Sequence, residues 1–283
     1  MKVSVIIPAW QCDDTIGECL KSVRGSIARY DGDIEFETLV VASRGSEAVS
    51  RNEGLGLATG DYIAWIDADD EVAPDWAAEI ASAINNSPDI IAFDVRATWW
   101  DGRKDYVMSC RPRNNADFLS DVAGGILPGQ VWCKVMRRNL FDGLSFSGRM
   151  HCDYRIQCEM ARNSLTVGFQ SGVAELKISH IPKPLYIYHR REFGLSQYHD
   201  VERTAEILGE LAELSREMPP PLGKIMAQGV AIRIADFLRN APWRASSAVS
   251  LRKFLRAALY GIVRNPAIDL RTKAKTIIAG AGL

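Results

Sequence analysis

The chain has 283 residues, 47% of them hydrophobic and 24% charged, with 34 Lys+Arg against 35 Asp+Glu for a net charge of -1. That length supports one large domain or two modest ones, each with a buried core, and the composition excludes disordered, collagen-like and coiled-coil chains. The balanced charge creates no overall field that would recruit nucleic acid, so any anion has to be bound by a local site.

Residues 3–8 (VSVIIP) are nearly all apolar and β-branched, the pattern of a strand covered on both faces. They follow Met1 and Lys2 directly, meet Asp13 and Asp14 without a small-residue cleavage site, and so read as a strand and not a signal peptide. Asp13 or Asp14 is expected to cap a helix carrying Ile16, Cys19, Leu20 and Val23 on one face. A second strand is expected over 36–42, a helix over 47–58, a third strand over 62–66, a helix over 74–84 and a strand over 90–95. This alternation predicts a doubly wound α/β sheet.

Beyond residue 100 the pattern loosens, with a helix expected over 114–121, a strand over 130–136 and a helix over 153–162 capped by Asp153. From residue 201 the chain turns helical: Ile207, Leu208, Leu211 and Leu214 share a stripe, Pro219-Pro220-Pro221 breaks it, and helices follow over 225–238 and 251–263. The expected organisation is a first region over 1–200, divided into 1–97 and 98–200, and a helical region over 201–283. Cysteines 12, 19, 110, 133, 152 and 158 form no CxxC pair and no zinc spacing, and read as free thiols of a reducing compartment. No apolar run approaches the roughly 18 residues of a membrane span, and a cytoplasmic location is the expectation.

The third strand ends in Asp67-Ala68-Asp69-Asp70. Ligands of open α/β sheets bind at the carboxyl ends of strands. Adjacent carboxylates repel one another unless a cation joins them, and hard oxygen donors of this kind suit Mg2+ or Mn2+ shared with phosphate oxygens. Arg51, sixteen positions upstream of Asp67, offers a fork of donors for a phosphate or for one of these acids. Two further readings stand beside these: Asp69 or Asp70 as a helix cap, and Arg51 as a solvated helix residue. Gly54, Gly56 and Gly60 do not form a dinucleotide-binding G-x-G-x-x-G, and no P-loop is present.

Val3 to Trp10, Ser50-Arg51-Asn52-Glu53-Gly54, Ala58-Thr59-Gly60-Asp61-Tyr62-Ile63 and Asp67-Ala68-Asp69-Asp70, in this order, resemble the motifs of a family 2 glycosyltransferase of GT-A fold. The resemblance is strong to about residue 97 and continues more weakly to about residue 200. It implies inverting, Mn2+- or Mg2+-dependent sugar transfer from a nucleotide-diphosphate donor, most simply a UDP-sugar, to a saccharide or glycoconjugate. It further implies Asp153 as the catalytic base, Asp69 on the metal, Asp67 on the metal or ribose, and Pro8, Ala9 and Trp10 near the base of the nucleotide. Trp132 and Lys134 would lie on the acceptor side. Arg190 and Arg191 read as a diphosphate clamp or as a solvated loop, and His189 as a further metal ligand or a structural histidine. The sequence departs from the family pattern after Ala42, where the base-reading acid is missing and Arg51 follows within a few residues. A non-catalytic binding or assembly module is therefore the alternative function.

Residues 251–283 carry seven Lys and Arg against Asp269 alone, a net charge of +6. With Phe254, Leu255, Leu259, Tyr260, Ile277 and Ile278 they form either an interfacial helix meeting anionic lipid, at the inner face of the membrane, or a packed helix with a solvated basic face.

Overall fold

The computed structural model describes all residues except 10–11, 13, 43–45, 100–101, 115–116, 149–150, 172–175, 191–200, 241–246, 267 and 282–283. Trp10, Asp13, Arg191 and Ser196, and most of the turn after Ala42, lie outside the described residues.

The chain divides into two compact units, the first formed by 1–118, 130–156 and 173–192, the second by 119–129, 157–172 and 193–283. The first is built on a sheet. Its elements are β1 (Lys2–Ala9), α1 (Ile16–Ala28), β2 (Glu35–Ala42), α2 (Glu47–Leu57), β3 (Tyr62–Trp65), β4 (Glu71–Val72), α3 (Trp76–Ile84), β5 (Ile90–Trp99) and β6 (Tyr106–Met108). After α4 (Phe118–Ala123) follow β7 (Lys134–Arg137), a 3-10 turn over Arg138–Phe141, α5 (Cys152–Ser171) and β8 (Ile178–Arg190).

The strands lie in the order β2-β1-β3-β7-β5-β8-β4, with β6 on β5. β1 pairs in parallel with β2 and β3, as expected of a strand whose residues 3 to 7 are all buried. β7 then enters antiparallel between β3 and β5, so the sheet is mixed beyond its first three strands. β8 runs parallel to β5 and antiparallel to β4.

Most of the expected elements are present with shifted ends. The strand expected over 130–136 starts at Lys134, because residues 130–133 form the turn that leads into it. The helix expected over 114–121 runs from Phe118 to Ala123. Thr15, and not Asp14, occupies the N-cap of α1, and its hydroxyl donates to the Cys12 carbonyl without capping the helix. All six cysteines are free, and all but Cys12 are buried.

The second unit is helical, with α6 (Val201–Glu217), α7 (Leu222–Asn240), α8 (Ser247–Arg264) and α9 (Leu270–Ala281). It also takes in 119–129 and 157–172, which the sequence reading places in the first region. Gly125, at φ +71, explains part of this: a Cβ there would stand 3.2 Å from the Gly229 Cα of α7, so a bare backbone is what lets the two segments meet. Gln157 adds a hydrogen bond of 2.7 Å from its amide nitrogen to the Gly129 carbonyl. No helix among the described residues is long and apolar enough to cross a membrane.

The Ala58-Thr59-Gly60-Asp61 motif turns out to be a tether for β1. Gly60 N–H donates to the buried Ser4 hydroxyl at 2.8 Å, and a Cβ on Gly60 would come within 2.7 Å of the Ser4 nitrogen. The Ser4 hydroxyl in turn donates to Glu37, which also accepts from Thr59 N–H and its hydroxyl and pairs with Lys2 at 2.8 Å. Burial alone would raise the Glu37 carboxyl, but the hydrogen bonds from Lys2, Ser4 and Thr59 outweigh it and hold the group at about 2. A depressed folded-state value means stability that is present above the unfolded value of 4.5 and is lost as pH falls towards 2. Glu37→Gln is therefore expected to lower stability at pH 7 by about 1 kcal/mol, solvent at the rim screening the rest. Urea titrations at pH 7 and at pH 2.5 should show that deficit closing at the lower pH.

Candidate active site

Arg51 lies near the middle of α2, whose N-cap Ser46 accepts from Val49 N–H. It is the largest charged side chain in the first unit with no solvent exposure. Its guanidinium sits 5.7 Å from the centre of the Trp65 ring and 5.8 Å from that of Phe146. Three carboxylates converge on it: Nη2 lies 2.6 Å from Glu47 and 3.1 Å from Asp67, and Nε lies 3.0 Å from Asp153. Burial disfavours the charge on Arg51, yet Asp153, Glu47 and Asp67 raise its pKa well above the ordinary value, so it is a permanent cation.

The carboxylates answer differently. Glu47 is raised by burial and by Asp153 and Asp69, against the pull of Arg51. Asp67 is raised by burial and by Glu47, Asp153 and Asp69, again opposed by Arg51, although 27% of its side chain still reaches solvent. Asp153 has its second oxygen fixed too, accepting from Val131 N–H at 3.1 Å. It stands in the first turn of α5, which begins at Cys152, so it is not the helix cap that one sequence reading proposed. His151, at φ +57, makes the sharp entry to that helix.

Asn52, next to Arg51, fixes the chain leading to this helix. Its amide donates to the Phe146 carbonyl and its oxygen accepts from Phe146 N–H, both at 2.8 Å. Adjacent residues of one helix thus hold the carboxyl end of β3, the loop at Phe146 and the start of α5.

The three aspartates after β3 have separate fates. Asp67 and Asp69 keep part of their surface in solvent, whereas Asp70 is buried. Asp70 accepts from the Tyr186 hydroxyl at 2.7 Å and from His189 N–H at 2.8 Å. Burial, with Asp67 and Asp69 beside it, raises its carboxyl well above the ordinary range. Tyr186 also accepts from Asp67 N–H at 3.1 Å, so a single hydroxyl sets the backbone of one acid and the side chain of another.

With this geometry described, the likeness to known proteins becomes interpretable. Residues 39–144 match the model of glycosyl transferase family 2. Over that segment the chain is similar to members of this family. The putative glycosyltransferase EpsH of Bacillus subtilis (strain 168) is 23% identical, over 66% of this chain and 60% of that protein. The uncharacterized glycosyltransferase YibD of Escherichia coli (strain K12) is 24% identical, over 70% of this chain and 64% of that protein. The chain thus spans less than two thirds of these relatives. The crystal structure of S. aureus TarS 1-349 aligns with a TM-score of 0.59 at 16% identity, covering 99% of this chain and 89% of that fragment. The same fragment in complex with UDP-GlcNAc aligns at 0.56. The shared fold is of the GT-A type.

Of the residues expected at a family 2 site, Arg51, Asp67 and Asp153 are brought together, and Asp69 lies beside them on the same turn. Pro8 and Ala9 lie at the carboxyl end of β1, opposite Val41 and Ala42. The other expected residues are placed as follows. His189 is engaged at both ring nitrogens, Nε2 with Glu71 at 2.8 Å and Nδ1 with Thr98 at 3.0 Å. Lys134 is buried, its ammonium donating to the Gln130 carbonyl at 2.6 Å and to Cys133 Sγ at 3.4 Å. Trp132 is also buried, stacked on Tyr186 at 4.7 Å and Tyr188 at 5.3 Å, and braces the Tyr186 hydroxyl system from the side. Arg190 lies 4.3 Å from the centre of the Trp99 ring and donates to the Tyr106 hydroxyl, which places it against the β5 and β6 edge.

Neither Glu47 nor Tyr186 is among the site residues expected from the sequence. A signal for Glu47 exists, since it precedes Arg51 by one helical turn; Tyr186 carries none that pattern alone provides. Arg51→Met is expected to cost about 3–5 kcal/mol at pH 7, because it leaves a cluster of buried acids without its cation. The deficit should be larger at pH 9 and smaller at pH 5, because Asp67, raised to about 8, is ionised in the folded state at the first pH and protonated at the second. Urea titrations of this variant at the two pH values measure it.

Proposed function

We propose that the protein is an inverting, metal-dependent glycosyltransferase that moves a sugar from a nucleotide-diphosphate donor, a UDP-sugar, to a saccharide or glycoconjugate acceptor. The observation that carries this reading is Arg51, whose guanidinium bonds both Asp67 at the end of β3 and Asp153 in the first turn of α5. The acid of the donor turn and the acid of the acceptor half, far apart in sequence, lie within the span of one side chain.

The residues fit a divalent ion at Asp67 and Asp69. Both are hard oxygen donors that keep some solvent access, and Mg2+ or Mn2+ needs only one or two carboxylates when donor phosphates complete its shell. The other candidate group, Glu47, Cys152 and Asp153, has ligand atoms within 4.8 Å of one another. Glu47 and Asp153 bond Arg51, as Asp67 does, but the third member of this group is the buried Cys152 thiol, a soft donor that Mg2+ or Mn2+ does not favour, whereas Asp67 and Asp69 offer oxygen alone. When bound at Asp67 and Asp69, the ion would supply Lewis-acid stabilisation of the departing diphosphate.

Asp153 takes the proton of the acceptor hydroxyl on a carboxylate oxygen that Arg51 or Val131 N–H orients. The acceptor oxygen bonds to the anomeric carbon as the bond to the diphosphate oxygen breaks on the opposite face, which inverts the configuration. No covalent sugar-enzyme intermediate is needed. General-base assistance of this type is worth roughly 10² to 10⁴ in rate.

One observation favours the alternative, a binding or assembly module without donor recognition: β2 ends at Ala42 and α2 begins at Glu47, so the connection that would read a nucleotide base is short. The two readings are separated with Asp153→Asn and Asp69→Ala. Asp153→Asn is expected to retain donor affinity by calorimetry and lose roughly 10² to 10⁴ in turnover, while Asp69→Ala loses the Mn2+-dependent heat of nucleotide binding. Full activity in both variants would sink the assignment, and the absence of Mn2+-dependent heat with every nucleoside diphosphate would install the alternative.

A further inference from the structure

α9 is amphipathic in the wrong sense for a helix that only packs on its own protein. It lies against α7 and α8. Its outward stripe is Leu270, Ala274, Ile277 and Ile278, with Leu270 83% exposed and the two isoleucines 45% and 47%. Its inward stripe includes Thr276, buried with its hydroxyl donating back to the Thr272 carbonyl, and the small Ala279. Burying isoleucine and exposing threonine is the arrangement hydrophobicity favours, and α9 reverses it.

α8 divides its apolar residues between two faces. Leu251, Leu255 and Ile262 point into the unit, while Tyr260 and Val263 face outward on a stripe with Lys253, Arg256 and Arg264. The Arg264 guanidinium lies 4.3 Å from the centre of the Tyr260 ring. Neither helix contains an acidic residue, and Asp269 between them caps α9 by accepting from Thr272 N–H and its hydroxyl. Exposed aliphatic and aromatic side chains interleaved with Arg and Lys are therefore the surface chemistry of these helices, and residues 251–283 carry a net charge of +6.

We propose that the outward faces of α8 and α9 dock on a membrane surface bearing anionic headgroups, with Leu270, Ile277, Ile278 and Tyr260 entering the interface and Arg256, Arg264, Arg271 and Lys275 meeting the headgroup charge. The charge selects this occupant. A second copy of the chain would bring the same +6 against itself, and a neutral partner would leave the basic residues unmatched, whereas an anionic bilayer complements both the apolar and the cationic side chains. The inference does not depend on the sugar-transfer reading.

The test is co-sedimentation of the full chain with vesicles of phosphatidylcholine alone and with phosphatidylglycerol admixed. Binding is expected only to the anionic vesicles and should fall with added salt. Replacing Arg256, Arg264, Arg271 and Lys275 by Gln should weaken it by roughly fivefold per charge removed. Leu270→Ser with Ile277→Ser and Ile278→Ser should abolish it, with thermal unfolding and nucleotide binding unchanged because these side chains already face solvent. The proposal is overturned if anionic vesicles do not bind, if neutral vesicles bind equally, or if both variant sets bind as the parent does. It is also overturned if the parent dimerises in analytical ultracentrifugation and the triple Ser variant does not, or if a soluble polyanion binds where vesicles fail.

Discussion

A buried positive charge has to be neutralised where it stands, and Arg51 is neutralised by acids drawn from three parts of the chain. Glu47 comes from one turn earlier in its own helix, Asp67 from the end of β3 and Asp153 from the start of α5. Removing an ion-pair partner in such a place is far more costly than the pair is stabilising, because the remaining charge cannot return to water. The chain is thereby forced to bring Asp67 and Asp153 to the same point. Asn52 adds an uncharged constraint by taking both backbone groups of Phe146, whose ring, with that of Trp65, lies near the guanidinium. The arrangement that stabilises this unit and the arrangement that a transferase would need are one set of contacts.

The sheet makes this convergence possible. β1, β2 and β3 are parallel, so the carboxyl ends of neighbouring strands lie along one edge, and Asp67 follows directly from one of them. β7 then runs antiparallel beside β3, which puts the turn at its start, with Val131, at that same edge. Val131 N–H fixes the second oxygen of Asp153. Two strands running in opposite directions deliver the acid of one half and the hydrogen-bond donor of the other to a common place.

Much of this was legible in the sequence because it rests on local pattern. Residues 3–8 are too apolar for a half-exposed strand, and β1 is central; Asp67 falls at a strand end, and there it lies beside Arg51. What pattern could not supply was long-range. Trp132 and Lys134 entered only through the family resemblance, and nothing local announced the tyrosines of β8 that stack on the first or the backbone carbonyl that takes the last. His189 stood between a ligand and a structural histidine because its partners Glu71 and Thr98 are remote in sequence. The helical unit extended beyond the expected boundary for a similar reason: the near contact of Gly125 with Gly229 spans more than a hundred residues and leaves no periodic trace.

The electrostatics of the acidic turn decide which of its residues can be functional. Asp70 is buried on Tyr186 and His189, and burial beside Asp67 and Asp69 raises its carboxyl well above the ordinary range. Glu47, Asp67 and Asp153 together outnumber the single charge of Arg51, and Asp69 adds to the imbalance. The rise in the Glu47 and Asp67 values is that same excess, felt as an affinity for protons. The Glu47 and Asp67 side chains keep 28% and 27% of their surface in solvent, and Asp69 is likewise part-exposed. Negative charge is in surplus at this strand edge, with its interior portion compensated by Arg51 and its outer portion, at Asp67 and Asp69, open to solvent.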